Sequence, residues 1–352
     1  MTSLNDPLYS FELSEELIGN APSDKRDESR LFVFDTKTGA IHFDHFKNIT
    51  KYLPEKSLLV LNETRVVPAR VYLHKETGGK VEVLFLMNLW REGEEIIPAI
   101  VDRKIEVGQQ LVSHDGAYTF HIEKQDENVF VLKPLFGIAT FRQFLDTYGE
   151  TPLPHYIQGV EMTEEKVRAR YQTIFGKEAY SIAAPTASLH FTEEVFASLK
   201  EKNIEKAGVT LHVGLGTFKP LTDDNFKNNA LHLERYVVSE DTAKRLLKAK
   251  ENKTPIIAVG TTSVRTLESY IRDHTIGEKA EDVTTIFIHP PYRFEMVDHL
   301  ITNFHLPQSS LMMLVEAFLA HKGSDKHLID LYKIAIKEKF KFYSFGDSML
   351  IL

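Results

Sequence analysis

The chain has 352 residues, of which 43% are hydrophobic, and a formal net charge of −8. That length is a prior for two domains, and that apolar content excludes global disorder. The lack of cysteine excludes disulfides, thiolate nucleophiles and thiolate-held metals, and the acidic balance means that any nucleic-acid contact must come from a local basic patch.

Residues 1–20 are acidic and lack a basic start leading into an apolar stretch, so no secretory signal is expected. No apolar run approaches the ~18 residues of a membrane helix, and the expected location is the cytoplasm. Ser14 is placed to cap a short helix, and residues 29–35 read as a strand. From about residue 57 to 135, short runs such as SLLVLN, RVYLHK, KVEVLFLM and NVFVLKP alternate with turn residues. Such spacing suggests a small antiparallel barrel or sandwich. Glycines in Glu76–Lys80 mark a hairpin loop.

Beyond residue 138, helices and strands alternate. One helix stops at Gly149, another is capped by Thr192, and a third is capped by Ser239 and feeds the strand PIIAVG. This pattern predicts an α/β main domain with a largely parallel sheet, formed by residues 1–56 and 138–352, and an inserted β-rich domain at 57–137.

Four polar clusters sit where apolar strands end in this second half, the position at which α/β sheets build sites. In VTLHVGLGTFKP, alternation puts Thr210 and His212 on one face, and Gly214 and Gly216 permit close backbone approach or form an ordinary turn. In APTASLHFT, His190 lies beside a helix N-terminus, which favours the neutral imidazole that a general base needs; a buried structural histidine is the alternative. In IIAVGTTSVRTLE, the hydroxyls of Thr261, Thr262 and Ser263 begin a helix, an anion-binding arrangement. Arg265 in that first turn opposes the helix dipole, a conflict that a bound anion would relieve; pairing with Glu268 is the alternative. In TNFHLPQSS, Asn303 and His305 are candidates and the Met312 region is core. His232 and Glu234, two apart in NALHLERY, share a face if extended, as a tuned base or as a solvated pair. Asn62, Thr64, Arg65 and Arg70 cluster about Pro68, and with Lys80 they form the best candidate basic patch. Asp347 is a turn residue or a site carboxylate. No HExxH or close His-x-His pair occurs among the 15 histidines, so no metal site is expected.

Taken together, the chain resembles the S-adenosylmethionine:tRNA ribosyltransferase-isomerases of queuosine biosynthesis. The resemblance is carried in order by FELSEELI at 11–18, NETRVVPAR at 62–70, TGGKVEVL at 77–84, PLPHYI at 152–157, YQTIF at 171–175, AAPTASLHFT at 183–192, TLHVGLGTFKP at 210–220, VGTTSVRTLES at 259–269, TNFHLP at 302–307 and FYSFGD at 342–347. It implies a barrel-like α/β main domain with an inserted antiparallel β-barrel-like domain. It further implies transfer and isomerisation of the ribosyl moiety of S-adenosylmethionine, a co-substrate, onto 7-aminomethyl-7-deazaguanine at the tRNA wobble position. Epoxyqueuosine forms, and adenine and methionine leave, without a metal.

On this resemblance, proton transfer is expected of His190, His212 or the pair His232 and Glu234. Substrate binding is expected of Thr186, Thr261, Thr262, Ser263, Arg265, Asn303, His305 and Asp347. Asn62, Thr64, Arg65, Arg70 and Lys80 are expected to meet a tRNA with a GUN-type anticodon, and the protein is expected to be a monomer. Four positions depart from the family pattern: Asn229 replaces the first histidine of His-x-Met-His-x-Glu, Ser188 and Tyr180 replace glycines, and His289-Pro290-Pro291-Tyr292 stands where Pro-Gly-Tyr is customary. They keep two alternatives open, a paralogue acting on another deazapurine or a free nucleoside, and a non-catalytic tRNA-binding homologue.

Overall fold

The computed structural model describes residues 9–21, 23, 25–154, 157, 162–214 and 221–352. Gly216, and His155 and Tyr156 of the PLPHYI segment, lie outside them. In chain order, β1 (Arg30–Phe34), β2 (Ile41–His45), β3 (Leu58–Asn62) and β4 (Thr64–Val66) come first. Next are β5 (Arg70–Lys75), β6 (Lys80–Phe85), β7 (Ile97–Val101), β8 (Gln110–Val112), β9 (Thr119–Asp126) and β10 (Val129–Pro134). Then follow α1 (Phe141–Tyr148), β11 (Gly149–Glu150), α2 (Glu164–Arg170), β12 (Glu178–Ser181), α3 (Glu193–Glu201), β13 (Glu205–Leu211), α4 (Asp223–Asn228), β14 (Ala230–Val238) and α5 (Glu240–Glu251). The chain ends with β15 (Ile256–Val259), α6 (Gly260–Asp273), β16 (Ala280–Ile286), β17 (His299–Asn303), α7 (Ser310–His321), α8 (Leu328–Lys337) and β18 (Ser348–Ile351).

A nine-stranded sheet runs β16-β14-β13-β3-β15-β17-β18-β1-β2. Its middle, β13-β3-β15-β17, is parallel, whereas β14, β16, β2 and the β17–β18 pairing are antiparallel. The sheet is therefore mixed rather than largely parallel. Leu58–Asn62, expected in the β-rich block, is a central strand of this sheet. Its five residues are all buried, as is usual for a strand covered on both faces. Leu58 and Val60 enter one core with Ile256 and Ala258, while Leu59 and Leu61 enter the opposite core with Ile257 and Val259. Each such side chain contributes about 1.5–3 kcal/mol of burial.

The inserted unit is a closed antiparallel barrel, β5-β6-β7-β10-β9-β8, completed by pairing of β8 with β5. Its strands alternate buried and outward positions, as in Val129–Pro134. Inward Val71, Val83, Phe85, Phe120 and Leu132 form its core, and Phe141, Phe144 and Leu145 of α1 pack on it. Gly78, at φ 85°, turns the hairpin between β5 and β6.

Thr192, Ser239 and Ser309 accept backbone N–H groups at the starts of α3, α5 and α7. Ser14 makes no such bond, and only the 3-10 turn Glu15–Leu17 follows it. No helix of the described residues is long and apolar enough to cross a membrane. Because β13, β3, β15 and β17 are parallel, their carboxyl ends lie along one edge of the sheet, and the segments that follow them meet there.

Candidate active site

A cavity opens at that edge, lined among others by Thr186, Val213, Thr262, Asn303, His305 and Ser344. It thus brings together five segments that are far apart in sequence. Thr186–His190 is a 3-10 turn rather than a strand extension. Thr186 Oγ1 donates to Asn303 Oδ1 at 2.8 Å. Asn303 Nδ2 lies 3.5 Å from His190 Nε2, and His190 Nδ1 lies 2.8 Å from Ser29 Oγ. With the Asn303 amide as donor, Nε2 is an acceptor, so the imidazole proton sits on Nδ1 and points to Ser29. Ser29 Oγ in turn donates to Arg26 O at 3.3 Å. Burial lowers His190 to about 4, outweighing a backbone hydrogen bond at Arg26 that raises it.

His212 follows β13 and is 5% exposed. Thr64 Oγ1 lies 3.2 Å from its Nδ1, and the Tyr180 ring stands edge-on to it at 5.3 Å. Burial lowers His212 to about 4; the nearby Arg235 charge adds to this and Glu281 opposes it. Both histidines are therefore neutral at pH 7. His232 is exposed, but Glu234 is buried, because β14 has an irregular register between Ala230 and Glu234. The shared face expected for these two residues is not formed.

Glu234 instead pairs with Arg265, both within the interior, and its other oxygen accepts from Gly214 N at 3.2 Å. Glu234 rather than Glu268 thus answers the Arg265 charge. Glu268 accepts the N–H groups of Glu295 and Met296, at 3.0 Å each. Arg265 Nε and Nη2 are buried without a hydrogen-bond partner.

The start of α6 fits an anion better than the arginine does. Val259 precedes the helix and offers no side-chain cap, Gly260 takes φ 82°, and Thr262 lines the cavity. The Thr262 hydroxyl is buried and unpartnered, an unmet polar group that calls for a partner. Thr261 also lines the cavity, whereas Ser263 Oγ is committed to Val259 O at 2.7 Å. His305 Nε2 is 2.9 Å from Thr302 Oγ1, and burial lowers this histidine to about 3.

Asp347 lies apart from this cavity. Its two oxygens accept from Arg30 N and Lys341 N, each at 2.7 Å, so it ties the C-terminal turn to β1. Burial raises it, against those bonds.

Of the expected tRNA contacts, Asn62 and Thr64 are 0% exposed. Asn62 bonds Leu211 and Thr64 through its amide, and Thr64 faces His212, so both belong to the interior. Arg65 is exposed. Arg70 pairs with Glu82 at 3.1 Å, and Lys80 lies over the Tyr72 ring at 3.8 Å.

Ser29 and Arg142, which support the two histidines, carried no local sequence signal. They are 161 and 37 residues from the groups they touch, His190 and Ala179. Among the described residues, no group of three His, Cys, Asp or Glu side chains is placed to hold a metal ion.

Comparison with known proteins places the whole of this architecture. The family model described as "Queuosine biosynthesis protein" matches residues 7–351. A Carboxydothermus hydrogenoformans protein is 44% identical over 347 residues, 98% of each chain. A Thermosipho melanesiensis protein is 43% identical over 345 residues, covering 97% of this chain and 98% of its own. Both bear the name S-adenosylmethionine:tRNA ribosyltransferase-isomerase. The crystal structure of S-adenosylmethionine tRNA ribosyltransferase from Thermotoga maritima superposes with a TM-score of 0.54 at 32% identity, over 98% of this chain and 100% of that one.

Proposed function

The chain belongs to the queuosine biosynthesis protein family, and on that premise we propose that it is an S-adenosylmethionine:tRNA ribosyltransferase-isomerase. It transfers and isomerises the ribosyl moiety of S-adenosylmethionine onto 7-aminomethyl-7-deazaguanine at the tRNA wobble position. Epoxyqueuosine is formed, and adenine and methionine are released. The observation that carries this reading is identity of 42–44% over nearly the full length of relatives bearing that name. The substrate is a tRNA, for which we propose a GUN-type anticodon. We further propose a monomer acting in the cytoplasm.

The sulfonium acidifies the adjacent ribose methylene, and a neutral imidazole takes a proton from it. Adenine leaves with its bonding electrons and a proton. The substrate amine then adds, and an alkoxide closes the epoxide as methionine leaves. His212 and His190 are the bases we assign, since each is held neutral with one ring nitrogen oriented.

The first turn of α6, with Thr261 and Thr262, is assigned to an anion of the substrates, the methionine carboxylate or a tRNA phosphate. Arg65, Arg70 and Lys80 are assigned to the tRNA backbone, and Asn62 and Thr64 to positioning within the site. Release of adenine and methionine from S-adenosylmethionine, measured with precursor-bearing tRNA, tests the assignment. Both products in the presence of that tRNA support it; binding without turnover, or turnover with a free nucleoside alone, overturns it.

A further inference from the structure

Tyr180, one of the departures from the family pattern, sits where the inserted barrel meets the large sheet. It lies in β12, which pairs parallel with β4, the strand that carries Thr64. Its ring stands edge-on to His212, at 5.3 Å and 64°. The Arg142 guanidinium on α1 lies 4.5 Å over the same ring. Arg142 Nη1 donates to Ala179 O at 3.0 Å, which fixes that guanidinium against the strand. The phenol donates to Glu92 Oε2 at 3.1 Å, and Arg142 Nη2 is 3.6 Å from the same oxygen. Glu92 follows Trp90, whose ring is 6.3 Å from Tyr180. The phenol ring is thus gripped by a barrel loop and a helix packed on the barrel.

We propose that Tyr180 is a positioning residue: clamped by Glu92 and Arg142, it holds the His212 imidazole dry and fixed opposite Thr64. The inserted barrel thereby sets the environment of a proton-transfer group on the other domain. The proposal rests on the reading of His212 as a base. Among the described residues, the groups facing His212 are Thr64 on β4 and Tyr180 on β12, with Arg235 on β14 and Glu281 on β16 acting through charge. Behind Tyr180 stand Arg142 and Glu92. Of these, Tyr180 is an uncharged cover, so removing it admits water while leaving the charges in place. Water stabilises the protonated imidazole.

The test is Tyr180→Ala, with histidine side-chain NMR titration of His212 in the full-length protein and the pH profile of kcat/KM measured in parallel. The His212 resonance is identified by its loss in His212→Gln. His212 is expected to titrate at least about one pH unit higher than in the parent, towards its ordinary value. The acid limb of kcat/KM is expected to rise with it. Tyr180→Phe keeps the ring but loses the phenol's bond to Glu92, and is expected to move the limb far less than Tyr180→Ala does. Glu92→Ala, on an exposed loop, loosens the clamp without touching the core and is expected to move His212 in the same direction by less. A shift in the NMR titration without movement of the limb supports the clamp and removes His212 as the base. An unmoved His212 titration in both Tyr180→Ala and Glu92→Ala overturns the proposal, whatever the change in activity.

Discussion

The Glu234–Arg265 pair permits a prediction in which stability and activity separate. Arg265 and Glu234 are 4% and 2% exposed. Glu234→Gln leaves the Arg265 charge in the interior without its carboxylate. Breaking a buried pair from one side costs about 3–5 kcal/mol, because the remaining charge is neither hydrated nor compensated. For a chain of this size that corresponds to a fall in Tm of about 4–7 °C. Arg265 carries a further burden, since its Nε and Nη2 already lack partners. Removing both charges, in Glu234→Leu with Arg265→Leu, should therefore recover stability to within about 1 kcal/mol of the parent. Turnover should not recover with it, because the double variant loses the only charged pair beside Gly214 that the described residues place there. Urea unfolding and adenine release on the single and double variants measure the two effects. A loss under about 1 kcal/mol in Glu234→Gln would show that the pair is hydrated and refute the reasoning.

Thr262→Val removes a buried hydroxyl that has no partner, so stability should hold or rise slightly, while S-adenosylmethionine or tRNA binding weakens about tenfold by calorimetry; unchanged binding of both removes α6 as the anion site. Gly260→Ala should cost more than about 1 kcal/mol, since φ is 82° while the new methyl would meet Ala187 Cβ only at an ordinary 3.6 Å; thermal unfolding checks this. Stability should be flat above about pH 7 and fall as pH drops below 6.5, because His190, His212 and His299 are lowered to about 4 and His305 to about 3 by burial, so the unfolded chain takes up protons first. Glu268 and Asp347, raised by burial, act in the opposite sense, their contribution being lost as pH rises. His305→Gln should reduce that slope by at most about 1.4 kcal/mol per pH unit, read from urea unfolding at several pH values.

Much of the fold was legible because it is written in local periodicity. Val129–Pro134 alternates, as a barrel strand must, and Ile256–Val259 is uniformly apolar, as a strand between two cores must be. The caps at Thr192 and Ser239 were equally local. Leu58–Asn62 reads as part of the barrel block for a related reason: its apolar run specifies a buried strand but carries no mark of its neighbours in the nine-stranded sheet. Those neighbours, β13 and β15, begin 147 and 198 residues after Leu58.

The site separates along the same line. That polar residues follow strand ends is a local fact, and it located Thr262, Asn303 and His212. What each one does depends on which group the fold brings opposite it. Asn62 and Thr262 look alike in sequence, each a polar residue at or just beyond the end of an apolar run. Asn62 spends its amide on Leu211 and Thr64, so it braces the backbone; Thr262 meets no partner and faces the cavity. Glu234 shows the same dependence in reverse. An irregularity in β14 turns it inward, away from the face of His232, and only then does it reach Arg265, 31 residues further on. At such an edge, the polar groups whose hydrogen bonds the fold leaves unmet are those that a substrate can satisfy, and tertiary packing decides which they are.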